Sequence, residues 1–213
     1  YGNKEDLEII KKDLDILGFR SSIFSRQRLH KIKTEYKEYE FKRVEHTLKS
    51  NSSALAVLLS LLGVPEGNKA NQDYSLPEWI INSVVWHKRL FLSSLFGAEL
   101  SSPMTATGNK FTFYGPIYSL NKENSAHGIK FVNQISCLLE EFGVRSILLK
   151  YGINTTNGKI STRIRLMIYP DTKNLINLFS KINYEYNIKK RKLANAAISW
   201  LKQKERILQF REE

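Results

Sequence analysis

The chain has 213 residues, of which 42% are hydrophobic, so it can bury one full core or two small ones and is neither disordered nor a disulfide-stapled miniprotein. Its 33 Lys and Arg against 21 Asp and Glu give a net charge of +12, which favours a polyanionic partner. The apolar stretch 54–62 is far shorter than the roughly 20 residues of a membrane span. The single cysteine, Cys137, cannot pair within the chain, which suits a reducing cytosol or nucleus and excludes a cysteine-based zinc site.

The first quarter of the chain predicts a helix, two basic strands and a second helix. A helical pattern covers 6–17, and the stretch 20–49 then alternates like strands and holds nine basic against four acidic residues. A second helix is predicted at 52–62. The segment 65–77 is rich in Asn, Gly and Pro and is typical of a connector, and a short helix at 78–81 follows it.

The rest of the chain begins with a small-residue helix at 87–100 and a strand at 110–119. Alternation along that strand predicts Phe111, Phe113 and Ile117 facing inward, and Thr112, Tyr114 and Tyr118 facing outward. A long helix at 124–142 comes next. At 160–168 the alternation is clearest, with apolar residues on one face and Arg163 and Arg165 on the other. The chain ends in a predicted basic helix.

An internal repeat links these elements. The first predicted helix ends in Gly-Phe-Arg-Ser at 18–21, and the long helix ends in Gly-Val-Arg-Ser at an offset of 125 residues. Each copy therefore has the order helix, strand, strand, helix. The second copy is preceded by about 31 residues without a counterpart, so the first half is expected to be truncated at its N-terminus. The predicted domains are a first half at 1–64, a linker at 65–86 and a second half at 87–213.

The helix at 87–100 carries the most specific signal. Its string FLSSLFGAELS places the small residues Ser93, Ser94, Gly97 and Ala98 at helical spacing, which predicts close packing against another helix, and Glu99 at the end of that seam. The string resembles the LAGLIDADG signature in its intein-type form, and the preceding LLGVPEGNK and LPEWI resemble the linker found in intein-encoded and free-standing archaeal homing endonucleases.

The resemblance implies an α+β class with a pseudo-two-fold duplicated αββαββα fold, in which antiparallel sheets form two saddles. It implies that Glu99 is a catalytic metal ligand for Mg²⁺ or another divalent cation, paired with an acid from the first motif, which this chain lacks. It also places a lysine near the active centre of each half. Lys69 and Lys190 match best, and Lys189 or Lys192 are alternatives to Lys190.

The implied function is site-specific, metal-dependent hydrolysis of double-stranded DNA bound in the major groove. The chain would act as a monomeric pseudo-dimer, or as a homodimer if a second chain replaces the missing motif. Because Gly97 and Leu100 depart from the motif, the alternative is an inactive nucleic-acid-binding protein of the same fold, either a transcription regulator or an RNA maturase. The DNA-binding candidates chosen by alternation are Arg26, Arg28, Arg43, Thr112, Tyr114, Tyr118, Arg163 and Arg165.

Overall fold

The computed structural model describes residues 1–33, 37–67, 72–156 and 159–212. The chain divides into two compact units, Tyr1–Leu59 (unit 1) and Ser60–Glu213 (unit 2), and each is described by itself. Within the described ranges, no helix combines the length and apolar character needed to cross a membrane.

Unit 1 consists of a two-stranded antiparallel ribbon between two helices. In chain order the elements are α1 (Lys4–Ile16), β1 (Ser22–Lys33), β2 (Glu38–Lys49) and α2 (Ser53–Leu61), whose last two residues belong to unit 2. The strands pair from Ser22 opposite Lys49 to Lys33 opposite Glu38. Gly18 follows α1 with φ of +82°, a left-handed conformation that ends a helix and that glycine adopts without strain.

Burial is sparse in unit 1. Among its described hydrophobic side chains only Leu7 of α1 is buried, at 5% exposure. The apolar helix α2 has no buried side chain, and Val57 is 59% exposed. Since apolar burial is the main stabilising term in folding, unit 1 has little core of its own.

Unit 2 contains the remaining elements. They are α3 (Glu78–Ile81), α4 (Val85–Glu99), β3 (Thr105–Ala106), β4 (Asn109–Phe113), β5 (Ile117–Lys122), α5 (Ser125–Glu141), β6 (Ser146–Thr156), β7 (Lys159–Ile168), α6 (Thr172–Asn177), continued by a π-helical segment at Leu178–Ile182, and α7 (Ile188–Glu212). Strands β3 and β4 form a small hairpin. Strands β5, β7 and β6 form an antiparallel sheet in that order.

The core of unit 2 lies between this sheet and α5. Ile164, Leu166 and Ile168 of β7 have no exposed surface and belong to one cluster with Val132 and Ile135 of α5. Each such side chain contributes roughly 1.5–3 kcal/mol by leaving water. The alternation predicted for this strand is confirmed at these positions. Ile160, near the start of the strand, is 65% exposed, so the same face is not buried along its whole length.

The two units have the same order of elements, and their strands pair at equivalent positions. Gly18 and Gly143 both end a helix with positive φ. Gly2 forms an antiparallel bridge with His46, just as Leu120 pairs with Ile164 at an offset of 118 residues. The helix–strand–strand–helix order thus occurs in both units, whereas a pseudo-two-fold arrangement of two saddle sheets stays a prediction.

The segment predicted as one strand at 110–119 is two strands, which corrects the orientation of Tyr118. Tyr114, Gly115 and Pro116 separate β4 from β5, so the alternation does not continue across them. Tyr118 is only 3% exposed and lies in the core, not on an outer face.

Two residues of the predicted linker also lie in that core. Leu76 and Ile80 are 2% and 5% exposed and belong to the hydrophobic cluster of unit 2. This part of 65–86 therefore packs as an integral piece of the unit.

Candidate nucleic-acid interface

One side of the β1–β2 ribbon concentrates cations and aromatic rings. In an antiparallel pair, side chains of directly opposed residues share a face, and the face alternates along each strand. We call this side the cation–aromatic face. It carries Ser22, Phe24, Arg26, Arg28, His30 and Ile32 of β1 and Tyr39, Phe41, Arg43, Glu45, Thr47 and Lys49 of β2.

The rings and cations of this face are open to solvent. Phe24 is 54%, Tyr39 50% and Phe41 42% exposed. Four cations share the face with one carboxylate, that of Glu45. Exposed aromatic rings beside guanidinium groups are the groups on which unpaired bases stack, so the face has the chemistry of a nucleic-acid-binding surface.

Contacts within the face order its centre. Arg28 Nη1 lies 3.5 Å from Glu45 Oε2, and His30 Nε2 lies 3.3 Å from Glu45 Oε1. The ring of His30 stacks on Phe41 with centroids 5.3 Å apart. Arg28 is directly opposite Arg43. Like charges in opposed positions destabilise a strand pair, and an anion bound between them would relieve that repulsion.

The sheet of unit 2 presents a similar face. Arg163 and Arg165 alternate with the buried Ile164 and therefore point away from α5; both are half-buried. Asn121 and Ser119 of β5 are opposite them. The register matches that of unit 1, so the cation–aromatic face and the Arg163–Arg165 face are equivalent surfaces of the two units.

The remaining polar candidates lie on the hairpin of unit 2. Thr112 of β4 is half-buried and Tyr114 is exposed. Hydrogen bonding with the side chain of Thr107 lowers the pKa of Tyr114, and the backbone N–H of Thr107, which donates to the Tyr114 hydroxyl over 3.0 Å, lowers it further.

The predicted catalytic residues lie at the end of α4. Glu99 is exposed in its last turn. Lys190 of α7 donates from Nζ to the carbonyl oxygens of Gly97 and Leu100, 2.9 and 2.6 Å away, and of Phe96 at 3.3 Å. A lysine on the last carbonyls of a helix acts as a C-terminal cap, so its ammonium is held beside Glu99 by backbone contacts. Lys189 and Lys192 are exposed.

The small residues of α4 pack against a backbone, not against another helix. Gly97 has no room for a side chain, because a Cβ there would meet the carbonyl oxygen of Glu185 at 1.7 Å. The N–H of Glu185 donates to the carbonyl of Ser93 over 2.9 Å. The expectation of a helix–helix seam is therefore corrected for Ser93 and Gly97, whereas Ser94 is half-buried and Ala98 exposed.

A buried lysine at the end of β5 was not predicted from the sequence. Lys122 is 1% exposed, donates to the carbonyl of Gln72 and lies 3.8 Å from the ring centroid of Tyr74. Burial lowers the pKa of Lys122, and Asp73 opposes that shift. Burial raises the pKa of Tyr118 and of Tyr74, and the charge of Glu99 raises both further. Glu99 thus lies close enough to influence the buried Tyr118 and the half-buried Tyr74.

The residues around Glu99 do not make a metal centre by themselves. Across the described ranges, no three His, Cys, Asp or Glu side chains are grouped so that they could hold an ion. Mg²⁺ prefers several oxygen ligands, so its binding at Glu99 stays a prediction. Lys69, the other predicted catalytic lysine, lies outside the described residues.

The sequence did contain a signal for the aromatic part of the interface. Phe24 lies two positions before Arg26 in β1, and Tyr39 and Phe41 lie four and two positions before Arg43 in β2. The same alternation that selected the arginines therefore selects the rings, once the register of the two strands is known.

Comparison with known proteins gives similarity to segments of longer chains. The chain is 37% identical over 214 residues to a tRNA-splicing ligase RtcB of Pyrococcus furiosus, covering 97% of this chain and 21% of that protein. It is 33% identical to the tRNA-splicing ligase RtcB of Methanocaldococcus jannaschii, covering 96% of this chain and 21% of that protein. The chain thus spans about a fifth of these curated relatives. No family model matches it.

A similar segment is found in a protein of another name. The DNA-directed RNA polymerase subunit Rpo1N of Methanocaldococcus jannaschii is 29% identical over 99% of this chain, which corresponds to 16% of that subunit. The relatives are named as enzymes or enzyme subunits, but the shared segment is a minor part of each and is not specific to one of them.

These findings contradict the predicted function. The ligase relatives are named for joining RNA, so membership of the LAGLIDADG homing endonuclease family, intein association, hydrolysis of DNA and binding of duplex DNA in the major groove are corrected. The alternative of a transcription regulator or RNA maturase fits those names no better. The resemblance of FLSSLFGAELS to the LAGLIDADG signature was misleading. It rests on the spacing of small residues, and in this structure that spacing accommodates the backbone of Glu185.

Proposed function

We propose that this chain is an RNA-binding segment of a longer enzyme, and that it holds single-stranded RNA on the cation–aromatic face. The observation that carries the proposal is the register of β1 with β2, which brings Arg26, Arg28 and Arg43 onto one side with three exposed aromatic rings. We also propose the prokaryotic cytoplasm as its compartment, where Cys137 stays reduced.

The chemistry of the face suits unpaired bases. Stacking of a base on an aromatic ring contributes about 1–3 kcal/mol and tolerates any base. Arginine adds a planar cation that both stacks and donates to phosphate in a fork geometry. Phe24 and Phe41 are about half exposed. His30 stacks on Phe41, and Lys49 Nζ lies 5.5 Å from the ring centroid of Phe24, so a base would stack on the part of each ring that these side chains leave open.

The names of two of these relatives favour RNA. Both a tRNA-splicing ligase and a DNA-directed RNA polymerase are named for RNA. A role that a segment can share between them is binding of RNA. Ligation is the activity of the whole relatives, and we assign to this chain binding and not the joining reaction.

The experiment compares two charge-matched double variants. Arg28→Gln/Arg43→Gln removes two cations from the cation–aromatic face, and Lys31→Gln/Lys42→Gln removes two from the opposite side of the same ribbon. Affinity for a fluorescent single-stranded RNA is measured by anisotropy at fixed salt. We expect the arginine variant to lose tenfold or more, about 1.4 kcal/mol, and the lysine variant to lose much less.

Equal losses in the two variants would contradict the proposal, since they would show attraction by net charge alone. An unchanged affinity in the arginine variant would contradict it as well. Circular dichroism of both proteins checks that the ribbon remains folded.

A further inference from the structure

A cleft at one end of the β1–β2 ribbon carries positive charge without a compensating acid. It has a volume of about 690 Å³ and lies wholly in unit 1. Arg20, Lys49, Asn51 and Ser52 contribute its polar lining, and no Asp or Glu is among the residues that line it. Phe24 and Lys49 belong both to this cleft and to the cation–aromatic face.

Unit 2 has the equivalent cleft, and there the charge is balanced. That cleft, of about 500 Å³, is lined by Arg145 and Lys173 and by Glu140 and Asp171. Arg20 and Arg145 each follow the helix-ending glycine by two residues. The two clefts therefore occupy the same place in the repeat but differ in net charge.

Part of this difference in net charge arises at one pair of equivalent residues, Ser52 and Asp171, and the rest from Glu140. Ser52 and Asp171 each precede a helix and accept a hydrogen bond from the N–H three residues on, at 3.2 Å from Leu55 and 3.1 Å from Asn174. The second carboxylate oxygen of Asp171 also accepts from Arg145 Nη2 over 2.9 Å. Ser52 has no carboxylate, so it does not supply the guanidinium of Arg20 with the anion that Asp171 supplies to Arg145.

We propose that the Arg20–Lys49 cleft is an oxyanion site that takes a phosphate group of the RNA backbone. The inference rests on the proposed function, because it extends the binding path of the single-stranded RNA beyond Phe24. A guanidinium group matches the geometry of a phosphate and donates two parallel hydrogen bonds to it. In unit 2 the carboxylate of Asp171 holds the equivalent position, so the second cleft does not bind an anion.

The site is tested with inorganic phosphate and the full chain. The Nε–H resonances of Arg20 and Arg145 are followed by nuclear magnetic resonance during a phosphate titration. We expect a saturable shift at Arg20 and none at Arg145. Ser52→Asp should abolish the shift, because it supplies the missing carboxylate while remaining a good helix N-cap. Asp171→Ser should create a shift at Arg145.

A response of Arg20 that survives Ser52→Asp, or equal responses of both arginines in the unmodified protein, would overturn the proposal. The same variants separate this site from the proposed function. With single-stranded RNA, Ser52→Asp should reduce the salt dependence of binding by about 0.7 in slope, the contribution of one phosphate contact. RNA binding without any phosphate response at Arg20 refutes the site alone. A phosphate response without RNA binding supports the oxyanion site and refutes the RNA-binding function.

Discussion

The ammonium of Lys190 lies 2.9 Å from the carbonyl oxygen of Gly97 and joins the start of α7 to the end of α4. Asn187 contributes a second link, since its side-chain amide donates to the same carbonyl over 3.1 Å. The buried hydroxyl of Tyr184 donates to Ser101 over 3.0 Å. Three side chains from one short stretch therefore fix the last turn of α4 and the position of Glu99.

Replacing Lys190 with Met should destabilise the protein. The change retains the apolar stem but removes the donor to three helix-end carbonyls, and hydrogen bonds to a charged group contribute about 1.5–3 kcal/mol. Urea unfolding followed by tryptophan fluorescence measures the loss. Lys189→Met, on the exposed neighbour, is the control and should change stability by no more than about 0.5 kcal/mol. Equal effects of the two changes would show that the capping contacts do not stabilise the fold.

Replacing Gly97 with Ala should be more damaging than its size suggests. The added Cβ would overlap the carbonyl oxygen of Glu185, and backbone cannot move aside as a flexible side chain can. Overpacking of this kind costs typically about 1–3 kcal/mol. Gly2→Ala is a suitable comparison because its Cβ would meet only Leu7 at an ordinary 3.6 Å. A Gly97→Ala protein as stable as the Gly2→Ala protein would refute the close packing described for α4.

Stability should fall at alkaline pH because of Tyr118. Burial raises its folded-state pKa above the ordinary value of 10. The unfolded state therefore loses its proton first, and the stabilisation present below pH 10 is lost as the pH rises. Tyr118→Phe should reduce this dependence while changing stability little at pH 7; the remainder comes from Tyr184 and Tyr74, whose pKa values burial also raises. Tyrosinate absorbance and the midpoints of urea unfolding are measured between pH 8 and pH 12. If stability falls as steeply with pH in the variant as in the unmodified protein, the attribution to Tyr118 is contradicted.

Local patterning predicted the fold better than the site. The apolar residues of β7 were recognised because one face of that strand is buried along most of its length, as at Ile164 and Leu166. Tyr118 was misplaced because Gly115 and Pro116 end one strand and begin another, which resets the alternation. Periodicity carries no information on such a break unless the interruption at Gly115 and Pro116 is recognised.

The group that packs against a surface or binds to it is harder to predict from sequence than the surface itself. Small residues at Ser93 and Gly97 correctly indicated a close approach, but spacing along a helix does not say whether a helix or a bare backbone approaches. The arginines of β1 and β2 were selected by alternation, whereas their association with Phe24 and Phe41 depends on strand register. Neither pattern predicts which nucleic acid the proposed face would bind.

Replacing Phe41 with Leu should weaken RNA binding without altering its salt dependence. The ring is exposed on the cation–aromatic face, and loss of base stacking costs about 1–3 kcal/mol. Leucine preserves an apolar side chain on the strand. Val44→Ala, at an exposed position on the opposite side of the ribbon, is the control. A change in salt slope with unchanged affinity would point to phosphate contact and not to stacking at this residue.

The most direct test is competition between nucleic acids for the unmodified chain. A labelled 12-nucleotide single-stranded RNA is bound, and unlabelled RNA of the same sequence or duplex DNA of equal length is added at fixed salt. Exposed rings can stack only on unpaired bases, so RNA should displace the label at a concentration about tenfold lower, which corresponds to roughly 1.4 kcal/mol. Displacement by duplex DNA at an equal or lower concentration would contradict the RNA-binding assignment.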